Sequence, residues 1–297
     1  MERIGEFAAF GTAVCWTIGA LFFERGVKQI GVLSVNLFKV MVAFVLLTIT
    51  AGLMRGMPLP FDASPHTLIM MSLSGLVGFV ITDMFLFSAY GTVGPRIAML
   101  FMALSPPITA GVAYITLGET IGLMEWIGMF LVVSGIFITV FGRQNGISFT
   151  KMKKEDRRGY LFAFVASFGQ SLGFIISKAG LGDYDPVSGT QIRVFTGILG
   201  FLLVSLVYKK GENIKRAIKK PQGLKLTAIG AIFGPYVGVT LSLFAVQRIN
   251  TGIASTLFGL TPVLIMLPET LIFKKRVKLL EIVGAVVAVT GTAVFFY

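Results

Sequence analysis

Three ionisable residues sit inside long apolar runs: Lys39 in NLFKVMVAF, Asp83 in GFVITDMFLFSAY and Arg193 in DPVSGTQIRV. A charge in hydrocarbon costs about 2.5–3.5 kcal/mol on insertion scales, so each must face a cavity or a partner. Two cations suit the attraction of an anionic group such as a carboxylate or phosphate. The competing role is structural: snorkelling to headgroups, or bonding to backbone carbonyls. Asp83 admits three roles: a proton-coupling carboxyl, a counter-ion for a cationic ligand, or one half of an ion pair that locks the helices.

Polar tips inside other apolar runs add to this set. They are Trp16, Asn36, Gln170, Gln191 and Tyr236. A mostly apolar pocket with a few such groups suits a small amphipathic ligand. Each serves equally well as a helix-to-helix hydrogen bond, worth about 0.6 kcal/mol on average. Pro106 and Pro107, then Pro262, fall near the middle of their runs, and Gly234-Pro235 adds another break. Proline removes a donor and kinks a helix, and the freed carbonyls are tolerated where they line a cavity. These breaks predict gating positions and a cavity walled by the third, fourth, eighth and ninth runs. Glu269, near the end of the ninth run, is expected at headgroup level. Enzymatic chemistry finds no set of groups. Cys15 and His66, one of each type, make neither a nucleophile–base pair nor a metal cluster. No P-loop glycine–lysine motif signals ATP hydrolysis. No cofactor and no metal are expected.

The elements that must position these residues follow from composition. Of 297 residues, 55% are hydrophobic and 13% charged, with a mean hydropathy of +0.85. So few charges could not cover a water-soluble surface. A membrane helix needs about 20 mostly apolar residues. Ten runs qualify, near 5–23, 35–53, 67–90, 96–116, 123–142, 160–177, 188–208, 224–246, 252–273 and 279–297. Backbone groups in lipid must pair within the protein, and the runs are continuous rather than alternating, so helices are expected and barrel strands are not. The expected class is an all-α integral membrane protein with ten transmembrane helices. MERIGEF lacks the basic start of a signal peptide, so the first run is expected to be retained. The net charge of +12 sits in short blocks between runs. Such blocks orient a chain in a membrane rather than bind nucleic acid.

The chain also repeats itself. A shift of 154 carries Trp16 to Gln170, Gly19 to Gly173 and Lys39 to Arg193. A shift of 156 carries Gly78 to Gly234, Asp83 to Val239, Pro106 to Pro262, Glu125 to Glu281 and Gly135 to Gly291. The expected units are 1–142 and 160–297, joined by a basic loop at 143–159. Five crossings per unit is an odd number, so the second copy enters from the opposite side, as an inverted repeat. Twenty Lys/Arg lie on the face of the 143–159 loop and four on the other. The basic face should be cytoplasmic, with both termini outside. Glycine runs 128–135 and 284–291 allow the fifth and tenth helices to pack closely, within the chain or across a homodimer.

These residues resemble the drug/metabolite transporter superfamily, and its ten-helix EamA-type members in particular. The resemblance rests on Trp16 in AVCWTIGALFFERG, on Lys39 and on Arg193 in DPVSGTQIRV, and on LGETIGLMEWIGMFLVVSGI with Gly128 and Gly135. The second copy departs from the pattern where Lys274 and Lys275 replace Gly118 and Glu119. The family is mostly described with both termini cytoplasmic, whereas the charge count here points the other way. The resemblance and the inverted repeat imply a secondary transporter of small metabolites, such as amino acids or related amphipathic compounds. It would work by alternating access as an exporter in the plasma or inner membrane, as a monomer or homodimer. Its partners would be a small-molecule substrate and the lipid bilayer, with no nucleic acid. A channel, a structural subunit of a membrane assembly and a membrane-embedded enzyme are the alternatives.

Overall fold

Apolar runs of this length become helices because a helix is the one spanning form that satisfies its own backbone. In the computed structural model, which describes residues 3–93, 98, 101–142, 156–271 and 277–296, no strand occurs among the described residues. The first half comprises α1 (Ile4–Ile30), α2 (Val32–Arg55), α3 (Pro65–Gly75), a π-helical turn at Leu76–Ile81, α4 (Thr82–Thr92), α5 (Ser105–Leu117) and α6 (Leu123–Gly142). The second comprises α7 (Asp156–Leu181), α8 (Pro186–Val207), α9 (Gly211–Ile218), α10 (Pro221–Ala231), a π-helical turn at Ile232–Gly238, α11 (Val239–Arg248), α12 (Thr251–Phe258), α13 (Thr261–Leu264), α14 (Met266–Leu271) and α15 (Leu279–Val294). Among the described residues, eight helical stretches are long and apolar enough to cross a membrane, and α15 is apolar but shorter. Large apolar side chains such as Leu53, Phe61, Ile115 and Leu206 are exposed. The chain is a multi-pass membrane protein, and lipid is the solvent that such a surface requires.

Two expectations shift. The loop expected at 143–159 lies outside the described residues up to 155, and α7 already begins at Asp156. The polar link at 209–223 holds a helix, α9. It is amphipathic: Ala217 is buried, Ile214 packs against the core, and Lys215 pairs with Glu212 on the outer face. Lys274 and Lys275 lie outside the described residues, as does the side chain of Glu269.

Helices pack where glycines remove the side-chain barrier. A Cβ on Gly19 would stand 3.3 Å from Gly230 O and Gly234 N, and one on Gly173 3.1 Å from Gly78 Cα. α1 therefore lies on α10 and α11, and α7 lies on α3 and α4. Each contact exchanges the repeat partners of the other. α2 against α8 and α6 against α15 follow the same rule. In the last pair Gly135 meets Gly284 and Gly128 meets Gly291, so the two small-residue runs face one another within one chain. Gly5 touches Ile249 at one end of α1, and Gly26 touches Thr227 at the other, so α1 runs antiparallel to α10 and α11.

The helices that break do so in matched pairs. The two π-helical turns start 156 residues apart, at Leu76 and Ile232. In the second, Pro235 lacks the N–H that an α-helix would use. In the first no proline is present, and the Thr82 hydroxyl donates to Val77 O at 2.8 Å. Tight turns close at Leu104 N to Phe101 O, 3.0 Å, and at Leu260 N to Leu257 O, 3.2 Å. Pro106, Pro107 and Pro262 follow these turns, in the opening residues of α5 and α13. They were expected to kink continuous helices. Instead they sit where a helix has restarted and its first N–H groups have no intrahelical acceptor, so the missing donors cost little.

Candidate functional site

The broken helices enclose a cavity of about 280 Å³. Its wall is drawn from both halves in matched positions. Trp16 and Gln170, Lys39 and Arg193, Gly78 and Gly234, Asp83 and Val239, Ser105 and Thr261, and Pro106 and Pro262 all line it. At the two shifts, every lining residue but Phe23, Ile136 and Ser255 has its repeat mate in the wall too. The cavity therefore lies on the line that relates the two copies. Its walls extend beyond the third, fourth, eighth and ninth runs, because Trp16 and Phe23 of α1, Lys39 of α2, Gln170 and Phe174 of α7, and Arg193 of α8 also face it.

The break sites explain how these residues reach the cavity. A π-helical turn carries an extra residue, which rotates the following turn about the axis. Gly78, Phe79 and Asp83 lie in or just after the first such turn, and Gly234, Pro235 and Val239 in or just after the second. Pro106 and Pro262 restart their helices against the cavity.

Polar chemistry in the wall is sparse and uneven. Lys39 Nζ donates to Asp83 Oδ2 at 2.8 Å and stands 5.5 Å from the centre of the Phe23 ring. Arg193 is only 4% exposed, and its Nε and Nη1 have no hydrogen-bond partner. The guanidinium lies 5.4 Å from the centre of the Phe79 ring. Gly75 and Gly78 clear its approach: a Cβ on Gly75 would strike the Arg193 backbone, and one on Gly78 would stand 3.0 Å from Arg193 Nη2. In the same wall Trp16, Phe174 and Phe258 form an aromatic cluster. Ring centres are 6.2 Å apart for Trp16–Phe174, 5.4 Å for Trp16–Phe258 and 5.0 Å for Phe174–Phe258.

Four residues expected at the site do not line the cavity. Tyr236 shares a 2.7 Å hydrogen bond with Thr50. Gln191 donates to Thr48 Oγ1 and Pro58 O, each at 2.8 Å, and so ties α8 to the end of α2. Asn36 is buried with its Oδ1 unpaired. Pro107 is not part of the wall that Pro106 helps to form. Sequence reasoning misses Phe174 and Phe258, because nothing in their spacing separates them from the other phenylalanines among 27.

A polar network joins the loops at the end of the bundle where α1 begins. Arg55 pairs with Asp62 and bonds Ser188, and Tyr184 donates to Asp62 Oδ1 at 2.9 Å. Lys178 pairs with Glu119 at 2.5 Å and donates to Ile249 O at 2.7 Å. Glu119 accepts from the Thr251 N–H and hydroxyl, capping α12. Gln247 donates to Gly182 O and Tyr184 O. Burial pushes the Asp62 carboxyl up, but hydrogen bonds from Arg55 and Tyr184 outweigh it and hold it below the usual carboxylate range. Burial first, and then Asp62, raise the Tyr184 phenol.

Comparison with known proteins agrees with this architecture. The EamA-like transporter family matches residues 3–141 and again residues 157–297. An uncharacterized transporter of Bacillus subtilis, YyaM, is 23% identical over 218 residues, 73% of this chain and 69% of that protein. An uncharacterized transporter of Archaeoglobus fulgidus is 24% identical over 252 residues, 83% of this chain and 85% of that one. A solved crystal structure superimposes with a TM-score of 0.79 at 18% identity, over 99% of this chain and 96% of that chain. That last likeness speaks to the fold alone.

Proposed function

We propose, from the premise that the chain belongs to the EamA-like transporter family, that it is a secondary carrier of small amphipathic metabolites, amino acids or related compounds among them. It works by alternating access in the plasma or inner membrane, as an exporter, with ten crossings arranged as two inverted five-helix units at 1–142 and 160–297. The observation that carries this reading is the exchange symmetry of the cavity wall. A site built from equivalent positions in two copies opens to either side when the copies trade conformations.

Inversion is supported by which ends meet. Lys178, near the end of α7, donates to Ile249 O, and Ile249 packs on Gly5 at the start of α1. The last turn of the second unit's first helix thus shares an end of the bundle with the opening turn of the first unit's. The π-helical turns and the restarted helices supply joints where a unit can flex without breaking a regular helix. The aromatic cluster and the few polar groups suit a ligand with an apolar body and a polar head.

Reconstituted proteoliposomes test the carrier. Uptake of a substrate should saturate and should be accelerated by the same compound inside. Flux that grows linearly with concentration and shows no counter-exchange would mean a channel instead. A tag after Tyr297 should be reached by impermeant reagents in intact cells, and a protected tag would reverse the orientation.

A further inference from the structure

We propose that the cavity selects organic monoanions: a carboxylate is held by Arg193, and an apolar or aromatic body lies on the Trp16–Phe174–Phe258 cluster. This rests on the carrier reading above and narrows its substrate class, placing carboxylates without an ammonium group ahead of zwitterionic amino acids.

The charges that line the cavity do not cancel. Three ionisable groups line the cavity, and two of them, Lys39 and Asp83, neutralise one another at 2.8 Å. Arg193 is left as one net positive charge, 4% exposed, with two donor nitrogens unsatisfied. No carboxylate partners it among the described residues. A buried guanidinium with unpaired donors is poorly tolerated unless an anion comes beside it; Nε and Nη1 are covered by the protein, so a ligand in the cavity meets Nη2. Snorkelling does not relieve it, because the side chain is buried and borders the cavity instead of reaching out to the surface. The Phe79 ring offsets part of the charge through its face but accepts no conventional hydrogen bond. A charge-assisted hydrogen bond from Nη2 to a carboxylate oxygen is the contact that this leaves. A second charge on the ligand finds no counterpart. An ammonium group would have to take Asp83 from Lys39, and a dianion would have to take Lys39 from Asp83. The rest of the wall is mostly apolar, with three aromatic rings gathered at one place.

Trp16 lies in the cavity, and the only other tryptophan, Trp126, is 46% exposed on α6. In a Trp126→Phe background, Trp16 fluorescence therefore reports occupancy. Four probes of similar shape separate the charge states: 3-phenylpropanoate, its neutral amide, 2-phenylethylammonium and zwitterionic phenylalanine. The carboxylate should quench at a concentration at least about tenfold below the other three. Arg193→Gln should remove that preference, and Arg193→Lys should retain part of it. Equal quenching by amide and carboxylate, phenylalanine binding as tightly as the carboxylate, no quenching by the carboxylate, or an unchanged preference in Arg193→Gln would each overturn the inference. The probe series on the Arg193 protein decides the matter even where a variant folds poorly. Carboxylate binding without counterflow in proteoliposomes would sink the carrier reading and leave the inference standing. Counterflow with no preference for anions would do the reverse.

Discussion

Lys39 and Arg193 occupy equivalent places in the two copies and meet opposite surroundings. Lys39 has Asp83 at 2.8 Å. The equivalent of Asp83 is Val239, and Arg193 has no such neighbour. A duplicated scaffold accounts for a cation at each position, since both copies keep one. It does not account for an acid in one copy only. The features that repeat, namely the π-helical turns, the restarted helices and the facing glycines, build the cavity. The feature that does not repeat gives the cavity its charge.

Breaking the pair should have the largest effect. Asp83→Ala leaves Lys39 buried without its partner and should destabilise the protein by about 3–5 kcal/mol. Denaturant unfolding in mixed micelles would measure it, and adding Lys39→Met to Asp83→Leu should recover most of the loss. A double variant no more stable than Asp83→Ala would show that the two do not act as a unit. Where the copies are alike, substitutions should act alike. A Cβ on Gly135 would come within 2.4 Å of Ala288 N, and one on its repeat mate Gly291 within 2.7 Å of Val132 N. Gly135→Ala and Gly291→Ala should each cost about 1–3 kcal/mol through overpacking, and by similar amounts. A large difference between them would place the symmetry elsewhere than in this helix pair.

Supplying the second copy with the missing acid sharpens the contrast. Val239→Asp should neutralise Arg193 and weaken 3-phenylpropanoate quenching of Trp16 at least about tenfold. Retained quenching would mean that the unmatched acid does not set the cavity's charge. The smallest effect belongs to the loop network, to which both halves contribute. The folded-state carboxyl of Asp62 lies below its ordinary value of 3.8. Its contribution is therefore complete above that value and is lost as pH falls through the lower folded value. Asp62→Asn should flatten the pH dependence of melting in that acid window, by less than about 1 kcal/mol because the pair is partly exposed. An unchanged profile would mean that the Arg55–Asp62 pair does not hold the loops.

Much of this was legible from residues alone. Apolar runs gave the helices, because length and hydropathy leave a membrane chain few options. The two shifts gave the matched wall, since Pro106 with Pro262 and Lys39 with Arg193 are rare residues at fixed spacing. Side-chain direction was not legible. Asn36 and Gln191 lie within a few residues of Lys39 and Arg193, yet neither lines the cavity: Gln191 bonds Thr48 and Pro58, and Asn36 is buried outside the wall. Nor was the first π-helical turn, since no proline marks it as Pro235 marks the second. The network around Arg55, Asp62 and Tyr184 joins residues more than a hundred positions apart, and no periodicity connects them.

Accessibility from the two sides of the membrane tests the account most directly. Ala103 lines the cavity at 3% exposure. In a Cys15→Ser background, Ala103→Cys should react with an impermeant thiol reagent applied to either side of sealed vesicles, and a bound substrate should protect it from both. Labelling from one side only, under every condition that supports flux, would contradict a site that opens alternately.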